Sequence, residues 1–249
     1  MSTKWMAKVN NWLYFVQYLL FPGICIVCDR PSERRFDLCL PCEQQLPRVS
    51  CPCPSCGLPL YTGSYPARVC GTCLSKPPPF SFVVSALAYH EPASRLISAF
   101  KYQARLANGR VLSRLLLARV KDFYAFRPLP ELLIPMPLHP KRLRQRGFNQ
   151  ALEIARIVSR DLQIPINRHD LIRLRDTARQ EGLRRQQRQQ NLRSAFACRD
   201  KAMQLPERVA IIDDVVTSTA SVRALCRALK RQGSREIHVW SLARVCQWN

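Results

Sequence analysis

Four pairs of cysteines in the N-terminal third of the sequence have the spacing of metal ligands. Each pair has the form Cys-x-x-Cys, and together they account for most of the 12 cysteines in the chain. The pairs are Cys25 with Cys28, Cys39 with Cys42, Cys53 with Cys56, and Cys70 with Cys73. A Cys-x-x-Cys turn places two sulfurs on one side of a tight knuckle, and two knuckles complete a closed tetrahedral site. The spacing therefore predicts two structural zinc ions, one in each successive quartet.

Other uses of these cysteines fit the pattern less well. The N-terminus has no apolar region followed by a small-residue cleavage site, which disfavours a secreted disulfide framework. Four pairs in a row also differ from the single motif of a thioredoxin-like redox site. Thiolates alone do not distinguish zinc from an iron–sulfur cluster. Two further alternatives are interleaved pairing of the quartets and the use of Cys51 in place of Cys53.

A second candidate site follows an apolar segment near the C-terminus. Residues 209–212 read Val-Ala-Ile-Ile and lead into Asp213 and Asp214. Small residues that open a helix come next, namely Thr217, Ser218, Thr219, Ala220 and Ser221. Hydroxyls and free N–H groups at a helix N-terminus can bind a phosphate dianion, and carboxylates can accept hydrogen bonds from ribose hydroxyls. The segment fits a ribose 5-phosphate, although residues that only cap a helix have the same appearance.

The charge of the chain indicates a polyanionic partner. The sequence has 39 Lys and Arg against 17 Asp and Glu, a formal net charge of +22. Two zinc ions with four thiolates each would reduce this to about +18. Nucleic acid and phosphorylated metabolites both fit, and a solvated basic face is the plain alternative. Aromatic residues that could stack on bases are sparse; the candidates are Phe148, Tyr61, Tyr65 and Phe80.

The hydrophobic pattern predicts a small Cys-rich module followed by an α/β domain. Strand-like segments (82–89, 132–138, 209–212, 237–242) alternate with helical ones (94–102, 111–120, 149–160, 221–231). This alternation is typical of a parallel sheet with helices on both faces, in which ligands bind beyond the carboxyl ends of the strands. We predict an N-terminal helix at 1–20, a double zinc ribbon at 21–75, a Pro-rich linker at 76–81 and the α/β domain at 82–249.

The N-terminal apolar stretch is too short to span a bilayer. Residues 12–27 are interrupted by Gln17, Pro22 and Gly23, whereas a spanning helix needs about 20 apolar residues. We therefore expect a soluble protein. Attachment of the predicted first helix to a membrane surface would be at most peripheral.

Two segments resemble the ComF/GntX family. Residues 134–150 contain its Pro-x-Pro, Lys-Arg and Arg-Gly-Phe-Asn-Gln elements. A second family pattern consists of Arg173, Arg175, Thr177, Gln180, Leu183, Arg188, Asn191 and Phe196. Residues 213–221 are similar to the motif with which type I phosphoribosyltransferases bind 5-phosphoribosyl 1-pyrophosphate (PRPP). With the cysteine pairs before them, these matches run in family order from about residue 25 to the C-terminus.

The resemblance implies a double zinc ribbon and a type I phosphoribosyltransferase-like domain, associated with DNA uptake during natural transformation in bacteria. Asp213 and Asp214 would hold the ribose of PRPP, residues 217–221 would surround the 5-phosphate, and Mg²⁺ would accompany the ligand. A pyrophosphate loop at 139–146 would contribute His139, Lys141, Arg142 and Arg146. A mobile loop at 173–196, which would close over the site or contact DNA, would contribute Arg173, Arg175, Gln180, Arg184, Arg185 and Arg188.

One position departs from the phosphoribosyltransferase motif. Thr219 stands where the motif usually has glycine, and glycine permits a positive φ or a close backbone approach that a β-branched residue resists. We therefore expect phosphate binding to be weakened or absent.

The function expected from the resemblance is a cytoplasmic competence protein that assists uptake or handling of single-stranded DNA. The inner face of the inner membrane is the alternative location, and a ComFA-type helicase and a DprA-type recombination mediator are the implied protein partners. The alternative function is an active PRPP-dependent phosphoribosyltransferase with an unidentified acceptor. The sequence shows no evident nucleophile and no N-terminal cysteine suited to glutamine hydrolysis.

Overall fold

The computed structural model describes residues 23–34, 36–60, 69–174, 195–200 and 202–246. Several predicted features lie outside these residues: the helix at 1–20, Tyr61, Tyr65, Arg175, Gln180, Arg184, Arg185 and Arg188. Contacts between Cα atoms divide the chain into two compact units, Met1–Leu46 and Pro47–Asn249. None of the helices in the described part of the chain combines the length and the apolar character of a membrane-spanning segment.

The first unit contains the first cysteine quartet. A short bridge pairs Ile24 with Pro31, and helix α1 spans Leu40–Gln45. Arg34 forms an ion pair with Glu43 of this helix. A ribbon of this kind is too small to bury a core of its own, so we expect bound metal to contribute to its stability.

The second unit contains the second cysteine quartet and all the strands of the main sheet. Its elements are α2 (Gly71–Ser75), β1 (Phe82–Ala88), α3 (Ala93–Tyr102), α4 (Leu106–Phe123), β2 (Leu132–Pro135), α5 (Pro140–Arg146), α6 (Gln150–Leu162), β3 (Leu171–Arg173), β4 (Phe196–Cys198), β5 (Arg208–Val216), α7 (Ala220–Arg231) and β6 (Glu236–Arg244). The main sheet has the order β1-β6-β5-β2, and all its pairings are parallel. Strands β3 and β4 form a separate antiparallel pair.

Helices cover both faces of the main sheet. On one face α4 packs on β1 and β6, and α6 packs on β2 and β5. On the other face Val222 and Leu225 of α7 join a core cluster with Ile211 of β5 and Val239 of β6. Because β6 is buried on both faces, it is apolar along most of its length. The predicted fold class, a parallel α/β sheet preceded by a Cys-rich zinc-ribbon module, is confirmed.

The compact units divide at a different place from the predicted linker at 76–81. The cysteines of the second quartet belong to the same core cluster as Phe80, Val83 and Val239. This ribbon therefore shares its apolar core with the sheet, and only the first ribbon separates as a unit of its own. The division into sequence domains stays a prediction.

A buried hydrogen-bond network lies on the α4 face of the sheet. The ring of His238, which is 1% exposed, has Nδ1 2.6 Å from the Tyr124 hydroxyl and Nε2 2.9 Å from a carboxylate oxygen of Glu236. Trp240 donates its indole N–H to the same hydroxyl at 3.1 Å. The tyrosine therefore donates to Nδ1, which is consistent with a neutral imidazole protonated on Nε2. Burial lowers the pKa of His238.

Two elements differ from the sequence-based expectation. Residues 140–146, predicted as a loop, form helix α5. The segment predicted as one mobile loop at 173–196 begins and ends in strands, because Arg173 pairs with Phe196 and Leu171 with Cys198.

Candidate functional site

The acidic pair lies near the carboxyl end of β5. Asp213 is still aligned with Ser241 of β6, and its side-chain Oδ1 accepts a hydrogen bond from the backbone N–H of Asp214 at 2.9 Å. Lys101, in the last turn of α3, places Nζ 3.0 Å from Oδ1 of Asp214. Both partners are largely buried, with 15% and 14% of their side chains exposed.

The two carboxyl groups differ in their environment. Burial and the neighbouring charge of Asp214 raise the pKa of Asp213 to about 8, against the opposing effect of Lys101. These effects favour the protonated form of Asp213 over the ionised form. Such a carboxyl group can both donate and accept hydrogen bonds with a hydroxyl.

Packing of α3 against α4 and α6 positions Lys101. The ring of Phe100 is buried and lies 5.5 Å from the ring of Phe148. It also lies directly over Gly109 of α4, where an added Cβ would be 2.5 Å from the Phe100 ring. On the other side, the Gln150 side chain donates to the carbonyl of Lys101 at 3.4 Å.

Basic side chains and the acidic pair together line a cavity of about 240 Å³. The cavity lies beyond the carboxyl ends of β2 and β5. Its charged lining residues are Lys101, Arg142, Arg146, Arg173, Asp213 and Asp214, and Tyr102, Asn149 and Ser221 also line it. The Nη1 atom of Arg146 donates to Gln150 at 3.1 Å, and its guanidinium lies over the Tyr102 ring at 5.1 Å. This arrangement suits an anion that also carries hydroxyl groups.

Local signals in the sequence shape helix α5. His139 is its N-cap and accepts a hydrogen bond from the N–H of Lys141 at 3.3 Å, and Pro140 occupies the first turn. Gly147 ends the helix with φ of 77°. Two residues after Gly147, Asn149 caps α6, because its side chain accepts hydrogen bonds from the N–H groups of Ala151 and Leu152.

Residues 217–219 connect β5 to α7. We call this segment the phosphate loop, because the sequence predicts phosphate binding there. Thr217 and Ser218 are exposed, whereas Thr219 is 8% exposed. Thr219 adopts the left-handed conformation, with φ of 62°, which is the conformation that glycine favours. Its hydroxyl accepts a hydrogen bond from Nε of Arg223 at 3.2 Å. The loop therefore keeps a glycine-like backbone at the position where the sequence departs from the motif.

The two cysteine quartets have the geometry of tetrahedral metal sites. Cys25, Cys28, Cys39 and Cys42 form one cluster, and Cys53, Cys56, Cys70 and Cys73 form the other, with ligand atoms within 4.8 Å of one another. The Sγ atoms of Cys28 and Cys39 are 3.8 Å apart, and those of Cys56 and Cys70 are 3.7 Å apart. Tetrahedral zinc with Zn–S bonds of about 2.3 Å requires about 3.8 Å between sulfurs. Both quartets are consistent with structural zinc, and neither cluster includes Cys51.

The structure brings some of the predicted site residues together and separates others. Arg142, Arg146, Arg173, Asp213, Asp214 and Ser221 line one cavity. His139, Lys141, Thr217, Ser218, Thr219 and Ala220 are not part of its lining. Phe80 was a candidate for base stacking, but it is 4% exposed and packs in the core, so that expectation was wrong. Sequence reasoning missed Lys101, Tyr102 and Gln150, because no local pattern links them to the acidic pair.

Comparisons with known proteins agree with this architecture. A family model described as a double zinc ribbon domain matches residues 16–74. Competence protein F of Haemophilus influenzae is 38% identical over 211 residues, which cover 84% of this chain and 90% of that protein. DNA utilization protein YhgH of Escherichia coli O157:H7 is 35% identical over 235 residues, 91% of this chain and 99% of that protein.

A solved structure of purine phosphoribosyltransferase from Pyrococcus horikoshii is also similar, with a TM-score of 0.31 and 15% identity, over 53% of this chain and 68% of that one.

The fold and the paired cysteine quartets define a double-zinc-ribbon protein with a parallel α/β domain. The chain belongs to the ComF/GntX family of competence and DNA utilization proteins.

Proposed function

We propose that this ComF-like protein handles single-stranded DNA and binds PRPP, together with Mg²⁺, in its α/β domain. The observation that supports PRPP binding is the cavity that Asp213 and Asp214 line together with four basic side chains. It lies beyond the carboxyl ends of parallel strands, where ligands of such sheets bind.

Each part of PRPP has a chemically matched group in the site. The carboxyl groups of Asp213 and Asp214 suit the two ribose hydroxyls. The phosphate loop and the N-terminus of α7 suit the 5-phosphate, because free N–H groups and the helix dipole favour an anion there. Arg142 and Arg146 suit the diphosphate, to which Mg²⁺ would bind through phosphate oxygens.

Helix α5 presents basic residues in two directions. Arg142 and Arg146 are four residues apart and line the cavity, whereas Lys141 and Arg144 are three residues apart and exposed. Residues at these spacings share a helix face. The outer face, at Lys141 and Arg144, is therefore available to the phosphates of single-stranded DNA while the inner face binds the small ligand. The names of the relatives, which refer to competence and DNA utilization, support the cellular role.

The protein partners remain proposals of the same kind. A ComFA-type helicase and a DprA-type recombination mediator fit a role in receiving incoming single strands, and the inner face of the inner membrane would be the place of contact. Pull-down of each purified partner by the full-length protein, with and without single-stranded DNA, tests this.

The first experiment separates PRPP binding from DNA binding. Titration calorimetry with PRPP and Mg²⁺ is run on the wild type and on a variant carrying both Asp213→Asn and Asp214→Asn, beside fluorescence anisotropy with a labelled oligonucleotide. We expect the variant to lose PRPP binding and to retain DNA affinity. Equal loss of both affinities would contradict the assignment of the acidic pair.

The second experiment uses the two faces of α5 as matched controls. Replacing Arg142 and Arg146 by alanine should weaken PRPP binding. Replacing Lys141 and Arg144 by alanine should weaken DNA binding and reduce the salt dependence, by about 0.7 in log–log slope for each lost phosphate contact. If both double variants lose the same property, a single binding surface is present and the two-face assignment is wrong.

A further inference from the structure

A buried arginine connects the second ribbon to the phosphate loop. Arg244, the last residue of β6, is 5% exposed. Its guanidinium donates to the carbonyl of Cys56 at 2.9 Å, to that of Val216 at 3.0 Å and to that of Thr217 at 2.5 Å. A fourth bond goes to the carbonyl of Val245 at 2.9 Å. Within the described part of the chain, all the hydrogen-bond partners of this side chain are backbone carbonyls.

A second arginine makes a similar connection at the other end of the loop. Arg223, in the first turn of α7, donates to the hydroxyl of Thr219 at 3.2 Å. The same guanidinium donates to the carbonyl of Lys76 at 3.0 Å and to that of Pro77 at 3.2 Å. These carbonyls follow α2, which carries Cys73 of the second quartet.

The loop has few supports of its own. The side chains of Thr217 and Ser218 are exposed, and Thr219 has an unfavourable backbone conformation for a β-branched residue. The carbonyls of Val216 and Thr217 accept hydrogen bonds from the guanidinium of Arg244, which also donates to the carbonyl of Cys56. The planar fork of arginine serves several acceptors at once, which a lysine ammonium does less well.

We propose that the second metal site, acting through Arg244 and Arg223, holds the phosphate loop in its anion-binding conformation. Zinc occupancy of the second quartet and anion binding at the loop are then thermodynamically coupled. Arg244 is a positioning residue, since it donates to backbone carbonyls at the start of the loop and does not line the cavity. This inference rests on the proposed function for the binding of an anion at the loop and for the identity of that anion.

Coupling of this kind is reciprocal. If the zinc of the second quartet strengthens PRPP binding by some factor, PRPP must strengthen zinc binding at that quartet by the same factor. We expect a factor of about 10, within the range usual for coupled sites. The first quartet, in the other compact unit, provides the internal control.

The experiment uses the full-length, zinc-loaded protein and two matched ligand variants. Cys70→Ser removes a ligand of the second quartet, and Cys39→Ser removes one of the first. Hydrogen exchange measured by mass spectrometry should show faster exchange of residues 216–221 in Cys70→Ser and no change there in Cys39→Ser. Strand β2 serves as the reference for intact global folding. Unchanged exchange of the loop in a folded Cys70→Ser protein would overturn the inference.

A second measurement uses arginine substitutions that leave all the zinc ligands in place. The partition of zinc between the protein and a chromophoric chelator is measured at equilibrium with and without PRPP and Mg²⁺. PRPP should raise the zinc affinity of one site about tenfold in the wild type. This increase should disappear in Arg244→Met but persist in Arg235→Met, an exposed control at the other end of β6. Persistence of the increase in Arg244→Met would overturn the role of this residue.

The two proposals fail in different ways. If PRPP produces no binding heat in the wild type, the proposed ligand is wrong, and the hydrogen-exchange comparison of Cys70→Ser with Cys39→Ser still decides the coupling. If PRPP binds normally and loop exchange does not respond to loss of the second site, the ligand assignment stands and the coupling is wrong.

Discussion

Replacing Thr219 by glycine and by alanine isolates the backbone cost of the phosphate loop. Thr219 has φ of 62°, and the left-handed region costs a residue with a Cβ roughly 1–2 kcal/mol. Both substitutions remove the hydroxyl that accepts from Arg223, so the lost hydrogen bond cancels in their comparison. In the middle of a helix or strand, glycine makes a protein less stable than alanine does, by roughly 0.5–1 kcal/mol. At position 219 we expect the glycine variant to be the more stable of the two.

We expect Thr219→Gly to be more stable than Thr219→Ala by about 1 kcal/mol, which is a difference of roughly 2–4 °C in Tm for a unit of this size. Differential scanning calorimetry of both zinc-loaded variants measures it. Thr219→Gly should also bind PRPP more tightly than Thr219→Ala, because both variants lack the hydroxyl that accepts from Arg223 and only glycine restores the motif. If the alanine variant melts at the same temperature as the glycine variant or above it, position 219 is not left-handed in solution.

Three further predictions concern protonation and metal binding. Because the pKa of Asp213 is raised to about 8, the folded protein keeps a proton that the unfolded chain has lost between about pH 4 and pH 8; Asp213→Asn should therefore raise Tm at pH 8 and change it little at pH 4. Burial lowers the pKa of His238, so its contribution to stability is present above about pH 6.5 and is lost as the pH falls; His238→Gln should flatten the fall in Tm from pH 7 to pH 5. Cys28 is exposed while all four cysteines of the second quartet are buried, so a chelator should remove the zinc of the first quartet first, as followed by native mass spectrometry with Cys39→Ser as the assignment control.

Each of these expectations has a contrary outcome. A lower Tm for Asp213→Asn at pH 8 would mean that the acidic pair is fully ionised in the folded protein. An unchanged slope in His238→Gln would assign the acid sensitivity to other groups. Release of both zinc ions at one rate would show that exposure of the thiolate does not control metal loss.

Most of the regular structure could be predicted from hydrophobic periodicity. The strand predicted at 82–89 is observed at Phe82–Ala88, and the helix predicted at 221–231 is observed at Ala220–Arg231. The pattern is strong at these places because β1 and α7 each bury apolar side chains against the same core. Cys-x-x-Cys spacing was equally informative about metal binding, whereas the sequential pairing of the quartets and the exclusion of Cys51 came from the structure.

The missed features depend on distant contacts or lack an apolar face. Helix α5 has no buried residue, so its sequence carries no hydrophobic periodicity, and its basic run appeared to be a loop. Lys101 reaches Asp214 only because α3 and β5 come together in the fold. Arg244 lies at the end of an apolar strand, where its hydrogen bonds to carbonyls from three segments cannot be read from neighbouring residues.

Gly109 shows how a residue outside the cavity can govern its chemistry. Alanine in place of glycine inside a helix ordinarily stabilises a protein by roughly 1 kcal/mol, so this substitution is a common choice when thermostability is to be increased. Here the new methyl group would clash with the Phe100 ring, so the ring would have to move. We expect Lys101, the next residue in the chain, to move with it and to weaken its ion pair with Asp214. A substitution that ordinarily stabilises a helix would thereby displace a charged residue that lines the cavity.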